Sequence, residues 1–457
     1  MLALLAAAED TIVALATPNG EGALGLLRLS GPRAIALAGQ VCRWLGPDPT
    51  HQQARYGTLR EADGTLVDEV VVTPYRAPRS YTREEVVEIS CHGSPYILGR
   101  VLELLVQAGA RLAEPGEFTY RAFRNGALDL SQAEAVADLI AARSRAAQQV
   151  AIRQLRGGIA HSLADVREQL IQFAALVELE LDFAEEDVEF AQRDQLSALL
   201  TQADSRLQTL IESFAAGNAL KHGFATALVG PPNAGKSTLL NRLLGEERAI
   251  VSPIAGTTRD VIEDVVNLGG YPFRLMDTAG LRSSDDPIEA EGVRRSRARM
   301  AGAQFVLVLL DATATQPPQA EAYLAELGVP EGAHVLRLAN KADALTPEAL
   351  AAWQAAGFVP LSAQTGLGLE ALKQALVSQA QTLTQYDTIV TSQRHVQALQ
   401  AAQARLLAVG QSLAQGLGGE LLALDLRHAL EAMGQITGQV TSDDVLGAIF
   451  SKFCIGK

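Results

Sequence analysis

The chain has 457 residues, 48% hydrophobic and 20% charged, with a formal net charge of −14, a composition that suits two to four globular domains with real cores. The acidic balance excludes a protein that coats nucleic acid by bulk charge, because such binding relies on Lys and Arg to neutralise phosphates. Cys42, Cys91 and Cys454 form no CxxC pair or metal-finger spacing and fit a reducing cytoplasm, Met1–Ala8 lacks the basic start of a signal peptide, and no run approaches the roughly 18 apolar residues that span a membrane.

Over residues 1–125, Thr11–Ala16, Leu26–Leu29, Val70–Thr73 and Val86–Ser90 read as strands between Gly/Pro punctuation. Gly93 to Val106 reads as a helix interrupted near its start at Pro95 and Gly99. This is an α/β or α+β domain. Gly20-Glu21-Gly22-Ala23-Leu24-Gly25 satisfies GxGxxG, but a strand follows it instead of a helix, so the dinucleotide fingerprint fails its context test. Cys91-His92 reads as structural, with no acid or third ligand nearby.

From Leu130 the texture becomes helical. Ser131 and Glu134 form a capping-box signal, and Leu163, Val166, Leu170, Phe173 and Val177 recur on one helical face. Asp182–Glu189 is an acidic break, and Leu196–Phe214 resumes the helix. Residues 126–220 are therefore the first part of a helical domain. Residues 221–381 alternate strand and helix signals, as a mainly parallel sheet requires. Helices return over 382–457: Gln393–Gln415, Leu421–Met433 and a last one opening at Ser442. The simplest architecture is multidomain α/β plus α, with the parallel-sheet domain inserted into a helical domain built from both flanks.

The inserted region carries the chemistry. Strand Phe224–Val229 runs into Gly230-Pro231-Pro232-Asn233-Ala234-Gly235-Lys236-Ser237, followed by helix Thr238–Leu244, which is a P-loop in its required strand–loop–helix context. The loop's N–H groups and the helix N-terminus suit phosphate. Lys236 reaches the β- and γ-phosphates and the Ser237 hydroxyl binds Mg²⁺. Gly256-Thr257-Thr258-Arg259-Asp260 offers a threonine to complete the Mg²⁺ shell, assigned here to Thr258. A hairpin at Gly269-Gly270 precedes Asp277-Thr278-Ala279-Gly280, where Asp277 holds Mg²⁺ through water and the Gly280 N–H senses the γ-phosphate.

Asn340-Lys341-Ala342-Asp343 follows the strand Val335–Ala339. The Asp343 carboxylate accepts from both the ring N–H and the amine of guanine, groups that adenine lacks in that geometry, so the wrong base costs about 1–3 kcal/mol or more. Ser362-Ala363 suits a backbone contact to the guanine carbonyl. These motifs in this order point to GTP. Leu281 stands where a Ras-type enzyme places its water-orienting Gln, and Glu289 in the following acidic loop is the candidate replacement.

The flanks add Asp10–Ala14, Pro115-Gly116-Glu117-Phe118, Arg121-Ala122-Phe123, Leu128-Asp129-Leu130, Gln132–Ala135 and the terminal Phe453-Cys454-Ile455-Gly456-Lys457. With the P-loop and Asp277–Arg282, they resemble the MnmE (TrmE) tRNA-modification GTPase family over essentially the whole chain. The resemblance implies an N-terminal folate-binding-like domain, a Ras-like GTPase domain, K⁺ beside Mg²⁺, and a homodimer. It also implies a flavoprotein partner, MnmG (GidA), with which such proteins add an aminomethyl or carboxymethylaminomethyl group to the wobble uridine of certain tRNAs, using a tetrahydrofolate derivative (5-formyl or methylene form).

Carried over by the resemblance, Asn233, Ser252, Ile254 and Thr257 are K⁺ contacts and Glu289 is the water-orienting acid. Arg28, Glu88 and Lys457 contact folate, and Cys454 becomes a functional thiol. Ala127 departs from the family, which usually has Lys there. Two other readings compete: a GTP-driven RNA or ribosome-assembly switch without modification chemistry, and a GTPase that only regulates another protein. A switch of the first kind calls for a basic RNA-binding module, which the sequence lacks.

Overall fold

A computed structural model describes residues 10–182, 193–247, 264–276, 297, 300–415, 418–451 and 453–456. The chain forms two compact units, the first from residues 1–137, 155–160 and 430–457, the second from 138–154 and 161–429.

In the first unit, β1 (Ile12–Leu15), β2 (Gly22–Ser30), β3 (Arg55–Arg60), β4 (Leu66–Tyr75), β5 (Val86–Gly93) and β6 (Arg111–Leu112) make one sheet in the order β3-β4-β5-β2-β1-β6. Every pairing is antiparallel except β1 with β6. Period-two alternation sets its faces: Leu27, Leu29, Val70, Val72, Val87 and Ile89 are buried in one core. That core includes Leu37 of α1 (Ala34–Val41) and Val101 and Leu105 of α2 (Pro95–Gln107). Ile12 and Ala14 project into a smaller cluster with Phe118 of α3 (Glu117–Arg124).

The first unit and the last helix differ from the sequence pattern at several points. β3, β6, α1 and α3 carry no clear sequence signal, and β2 begins at Gly22, inside the GxGxxG string. Helix α2 is not interrupted: Pro95 occupies its first turn, where a missing N–H costs nothing, and Gly99 lies within it. Helix α4 (Leu130–Ala141) is capped by Asp129, not Ser131. The Asp129 carboxylate accepts from the Gln132 N–H at 2.8 Å, and the Gln132 side chain accepts from the Asp129 N–H at 2.8 Å, a capping box two residues earlier. His92 does have an acid beside it, with its Nδ1 2.7 Å from the buried Asp68 carboxylate. The sequence predicts the last helix over Asp443–Phe453, but α14 spans Asp443–Phe450.

The second unit holds helices α5 (Arg145–Leu155), α6 (Gly158–Asp182), α7 (Arg193–His222), α12 (Gln393–Ala414) and α13 (Gly419–Thr437), some of whose residues belong to the first unit. Leu163, Val166, Leu170 and Val177 of α6 are buried as their spacing predicts, Phe173 only partly. Between α7 and α12 in the chain comes the second sheet: β7 (Phe224–Val229), β8 (Asp264–Leu268), β9 (Tyr271–Leu275), β10 (Phe305–Asp311), β11 (His334–Asn340) and β12 (Val359–Pro360). Its order is β12-β11-β10-β7-β9-β8, parallel except for the β8–β9 hairpin. Helices α8 (Lys236–Glu247), α9 (Pro317–Leu327), α10 (Pro347–Ala355) and α11 (Leu369–Leu383) accompany the strands. Phe224, Phe273 and Phe305 pack ring to ring at 5.5–5.6 Å in its core.

A charge network secures the edge of the first unit. Arg111 binds Glu117 at 2.6 Å and Asp10 at 2.6 Å, while the buried Arg121 binds Asp10 at 2.5 Å and Glu117 at 3.0 Å. Burial pushes the Asp10 carboxyl upward, but hydrogen bonds from Arg111 and Arg121 outweigh it and hold the group below its ordinary value. Its stabilisation is therefore present above the unfolded carboxylate range and is lost as pH falls through the lowered folded value. Arg121→Ala, which leaves Glu117 buried without one of its partners, should cost about 3–5 kcal/mol in urea titrations. Asp10→Asn should flatten the acid-side loss of stability. A native acid profile in Asp10→Asn would remove Asp10 from this role.

Candidate functional site

The carboxyl ends of β7, β10, β11 and β12 converge, as parallel sheets require of a ligand site. After β7 the chain turns at Gly230 with φ +152°, where an added Cβ would lie 2.0 Å from the Leu309 carbonyl of β10. Gly235 has φ +96°, and a Cβ there would meet the Asn340 amide nitrogen at 2.2 Å. Between them Asn233 takes φ +62°, a left-handed conformation that asparagine tolerates, and its side chain is exposed. Lys236 opens α8, and its Nζ donates to the Gly230 and Pro231 carbonyls at 2.8 and 2.6 Å. Ser237 and Thr238 follow in the first turn, both exposed, so the loop is a cradle edged by N–H donors and hydroxyls.

Asn340 fastens this cradle to the next loops. Its buried side chain donates to the Ala234 carbonyl at 2.7 Å and accepts from the Ala363 N–H at 2.9 Å. Lys341, at φ +64°, pairs with the Asp311 carboxylate at 2.5 Å. Asp311 also accepts from the Thr313 N–H and hydroxyl at 3.0 and 2.6 Å. Burial raises this carboxyl, yet Lys341 and Thr313 together hold it below its ordinary value. Asp343 lies exposed on the short 3-10 turn Ala342–Ala344. Ser362 and Ala363 are buried, and the Ser362 hydroxyl accepts from the Thr365 N–H at 3.1 Å.

The structure thus brings Asn233, Ala234, Gly235, Lys236, Ser237, Thr238, Asn340, Lys341, Asp343, Ser362 and Ala363 to one end of one sheet. Asp311 joins them unanticipated, although its place at the end of an apolar strand was the available signal. Ser252, Ile254, Thr257, Thr258, Asp277, Thr278, Ala279, Gly280, Glu289 and Lys457 lie outside the described residues.

A second group forms in the first unit. Arg28 on β2 pairs with Glu88 on β5 at 2.7 Å, and Tyr75 donates to Glu88 at 3.2 Å. The Arg28 guanidinium lies 5.7 Å from the centre of the Tyr81 ring and 5.9 Å from that of Phe118. Arg28 is the register partner of Ala14 on β1. The C-terminal tail reaches the same strand: at Gly456, φ +96°, a Cβ would lie 2.3 Å from the Leu15 carbonyl. The Cys454 carbonyl accepts from the Gly116 N–H at 3.4 Å, and its side chain is exposed. Burial pushes the other two thiols up, Cys42 to about 12 and Cys91 to about 11, so Cys454 is the only cysteine placed for chemistry in solution.

Residues 11–127 match the family model of the GTP-binding protein TrmE N-terminus, and residues 130–454 match that of the MnmE helical domain. The tRNA modification GTPase MnmE of Cytophaga hutchinsonii is 49% identical over 453 residues, covering 98% of each chain. Those of Christiangramia forsetii and Chlorobaculum tepidum are 46% and 45% identical, covering 98% of this chain and 99% and 97% of theirs.

The Asn340 latch can be tested directly. Asn340→Ala removes two buried hydrogen bonds, and the affinity for a fluorescent GDP analogue should fall about 30- to 100-fold with the fold retained. A drop below about threefold would mean that the cradle holds its shape without the latch.

Proposed function

Because the chain belongs to the MnmE family of tRNA modification GTPases and is a GTP hydrolase, we propose that it acts with a flavoprotein partner to add an aminomethyl or carboxymethylaminomethyl group to the wobble uridine of certain tRNAs. The one-carbon donor is a tetrahydrofolate derivative, and the working form is a homodimer. The reading divides the chain into a folate-binding-like domain at 1–125, a helical domain at 126–220 and 382–457, and a GTPase domain at 221–381. The observation that carries it is the C-terminal tail, whose Gly456 lies against Leu15 of β1 and whose exposed Cys454 accepts from the Gly116 N–H through its carbonyl, in the same unit as the Arg28–Glu88 pair. A bare GTP switch has no use for that arrangement.

In the nucleotide cleft, the P-loop N–H groups and Lys236 bind phosphate, and the Lys236 ammonium already rests on loop carbonyls that it can leave for a stronger anionic partner. Asp343 accepts from the guanine edge, and the Ala363 N–H side of the latch fixes the loop behind it. The exposed Ser237 hydroxyl in the first turn of α8 fits an Mg²⁺ ligand, with Thr258 as its partner and Asp277 acting through water. The exposed Asn233 side chain fits a K⁺ ligand, with Ser252, Ile254 and Thr257 completing the set. Bound there, the two cations neutralise charge that develops on the transferring phosphoryl group. Glu289 orients the attacking water, taking the place of the Gln found in Ras-type enzymes.

In the other unit, Arg28 and Glu88 offer a donor and an acceptor beside the Tyr81 and Phe118 rings, a fit for a flat heterocycle with a charged tail, with Lys457 as a further contact. With Ala127 at the usual lysine position, that charge must come from Arg28 and Lys457. Mass spectrometry of tRNA nucleosides from cells lacking the protein should show loss of the wobble modification. Unchanged nucleosides would favour the ribosome-assembly switch.

Two further outcomes follow. Exchanging K⁺ for Na⁺ should slow GTP hydrolysis by at least about tenfold, and Asn233→Ala should be slow in both salts; equal native turnover in the two salts would remove the K⁺ site. Cys454→Ser should abolish uridine modification while GTP hydrolysis by the same preparation stays near native, since serine keeps the size but not the nucleophilicity of a thiol. Loss of both activities would instead make the cysteine structural, and retention of both would make it a bystander.

A further inference from the structure

Away from the nucleotide cradle, the second unit contains a cavity of about 320 Å³, at the lower end of the range that holds small-molecule ligands. Its body is apolar, formed by Ala147, Val150 and Ala151 of α5, Leu220 of α7, and Val265 and Pro272 of the β8–β9 hairpin. Its polar rim carries Asp138, Arg143, Lys221 and His222. A mainly apolar lining with a few charged groups is the usual form of a ligand pocket.

The walls are fixed before anything binds. Asp138 is fully engaged, pairing with Lys221 at 2.6 Å and accepting from the Thr391 hydroxyl at 3.1 Å. The Gln154 amide donates to the Ile389 carbonyl at 2.8 Å, and the Val390 N–H donates to the Ser213 hydroxyl at 3.0 Å. The hairpin wall is held by Asn267, which donates to the Arg143 carbonyl at 2.8 Å, and by the Ala146 N–H, which donates to the Gly270 carbonyl at 3.0 Å. Pre-organised walls lower the ordering cost of binding.

The rim has a sign. Asp138 offsets Lys221, which leaves the Arg143 guanidinium, exposed and without a hydrogen-bond or ion-pair partner among the described residues, as the surplus charge. His222 adds no opposing charge. Burial and the neighbouring Lys221 and Arg274 hold its imidazole below the ordinary value, so it is neutral above that range.

We infer that this cavity is a binding site for a small organic anion, its apolar body enclosed by α5, α7 and the hairpin and its anionic group turned to Arg143. Anilinonaphthalene sulfonate, an aromatic anion that fluoresces in apolar surroundings, is the probe. It is titrated into the full chain with Mg²⁺, saturating GDP and a saturating tetrahydrofolate derivative, so that the dye can enter neither the nucleotide cradle nor the Arg28–Glu88 site. N-phenyl-1-naphthylamine, its uncharged counterpart, serves as the comparison. The native chain should bind one equivalent of the sulfonate and bind the amine more weakly. Ala147→Phe, which fills the cavity, should abolish the single-site signal, and Arg143→Glu should weaken it about fivefold or more. GDP affinity measured on both variants should stay native, which establishes that each is folded. Absence of saturable binding in the native chain, or unchanged binding in Ala147→Phe, would overturn the site. Equal affinity for sulfonate and amine, or an unaltered Arg143→Glu, would overturn its anion selectivity.

Discussion

The carboxamide of Asn340 is the contact on which the nucleotide cleft depends. One side chain spans two loops that leave different strands, giving a hydrogen bond to the P-loop through Ala234 and taking one from the loop after β12 through Ala363. No other residue type of that length offers a donor and an acceptor from one planar group. The same amide explains the glycine at 235, because it occupies the space where any Cβ would stand. The phosphate loop and the base loop are thus one object, and a change in either is felt by the other. Lys341 follows from this: with Asn340 turned inward at the end of β11, the next residue takes a left-handed backbone and ties down Asp311 at the end of β10.

Much of this was legible in the sequence because motif residues sit where strand ends must be. Strand Phe224–Val229 is buried at every position and apolar except at Thr226, as expected of a strand covered on both faces of a parallel sheet, and the Gly269-Gly270 turn, with both φ values positive, marks the hairpin. The first unit was less legible for physical reasons. Strand β3, Arg55–Arg60, lies at the sheet edge with a single buried residue, Leu59, so its alternation is nearly silent. Helix α3 opens with Glu117, which is buried against Arg111 and Arg121, and a core residue that is charged defeats any reading by hydrophobic period. Cys91-His92 looked isolated because Asp68, its acid, arrives from β4, 24 residues upstream.

The first unit is organised by close approach at its glycines as much as by burial. Gly116, at φ +71°, lies where a Cβ would be 2.6 Å from the Phe450 carbonyl, and Gly456 lies where one would be 2.3 Å from that of Leu15. Phe450 and Phe453 pack with Leu130 and Ala133, which brings the end of the chain onto its early segments. The backbone on either side of Cys454 is therefore clamped while its side chain stays in solvent. An anchored backbone with an exposed side chain gains orientation without a loss of access. It also explains why the reading of this residue depended on the family: nothing in the spacing of three cysteines distinguishes the exposed one from the two that burial has silenced.

The β8–β9 hairpin has a position that its short length conceals. In sequence it lies between the segment carrying Thr257 and Thr258 and the one carrying Asp277. β9 is paired with β7, the strand that feeds the P-loop, and cannot shift register without exposing Phe273 and Leu275. The turn is held from outside by Asn267 to Arg143 and by Gly270 to Ala146, and Gly270 has Arg145 packed where its own side chain would be. The hairpin is thus fixed at its tip by the start of α5 and along one side by β7. Arg143 and Ser144, beside that tip, also line the cavity, so an occupant there would rest against the same hairpin.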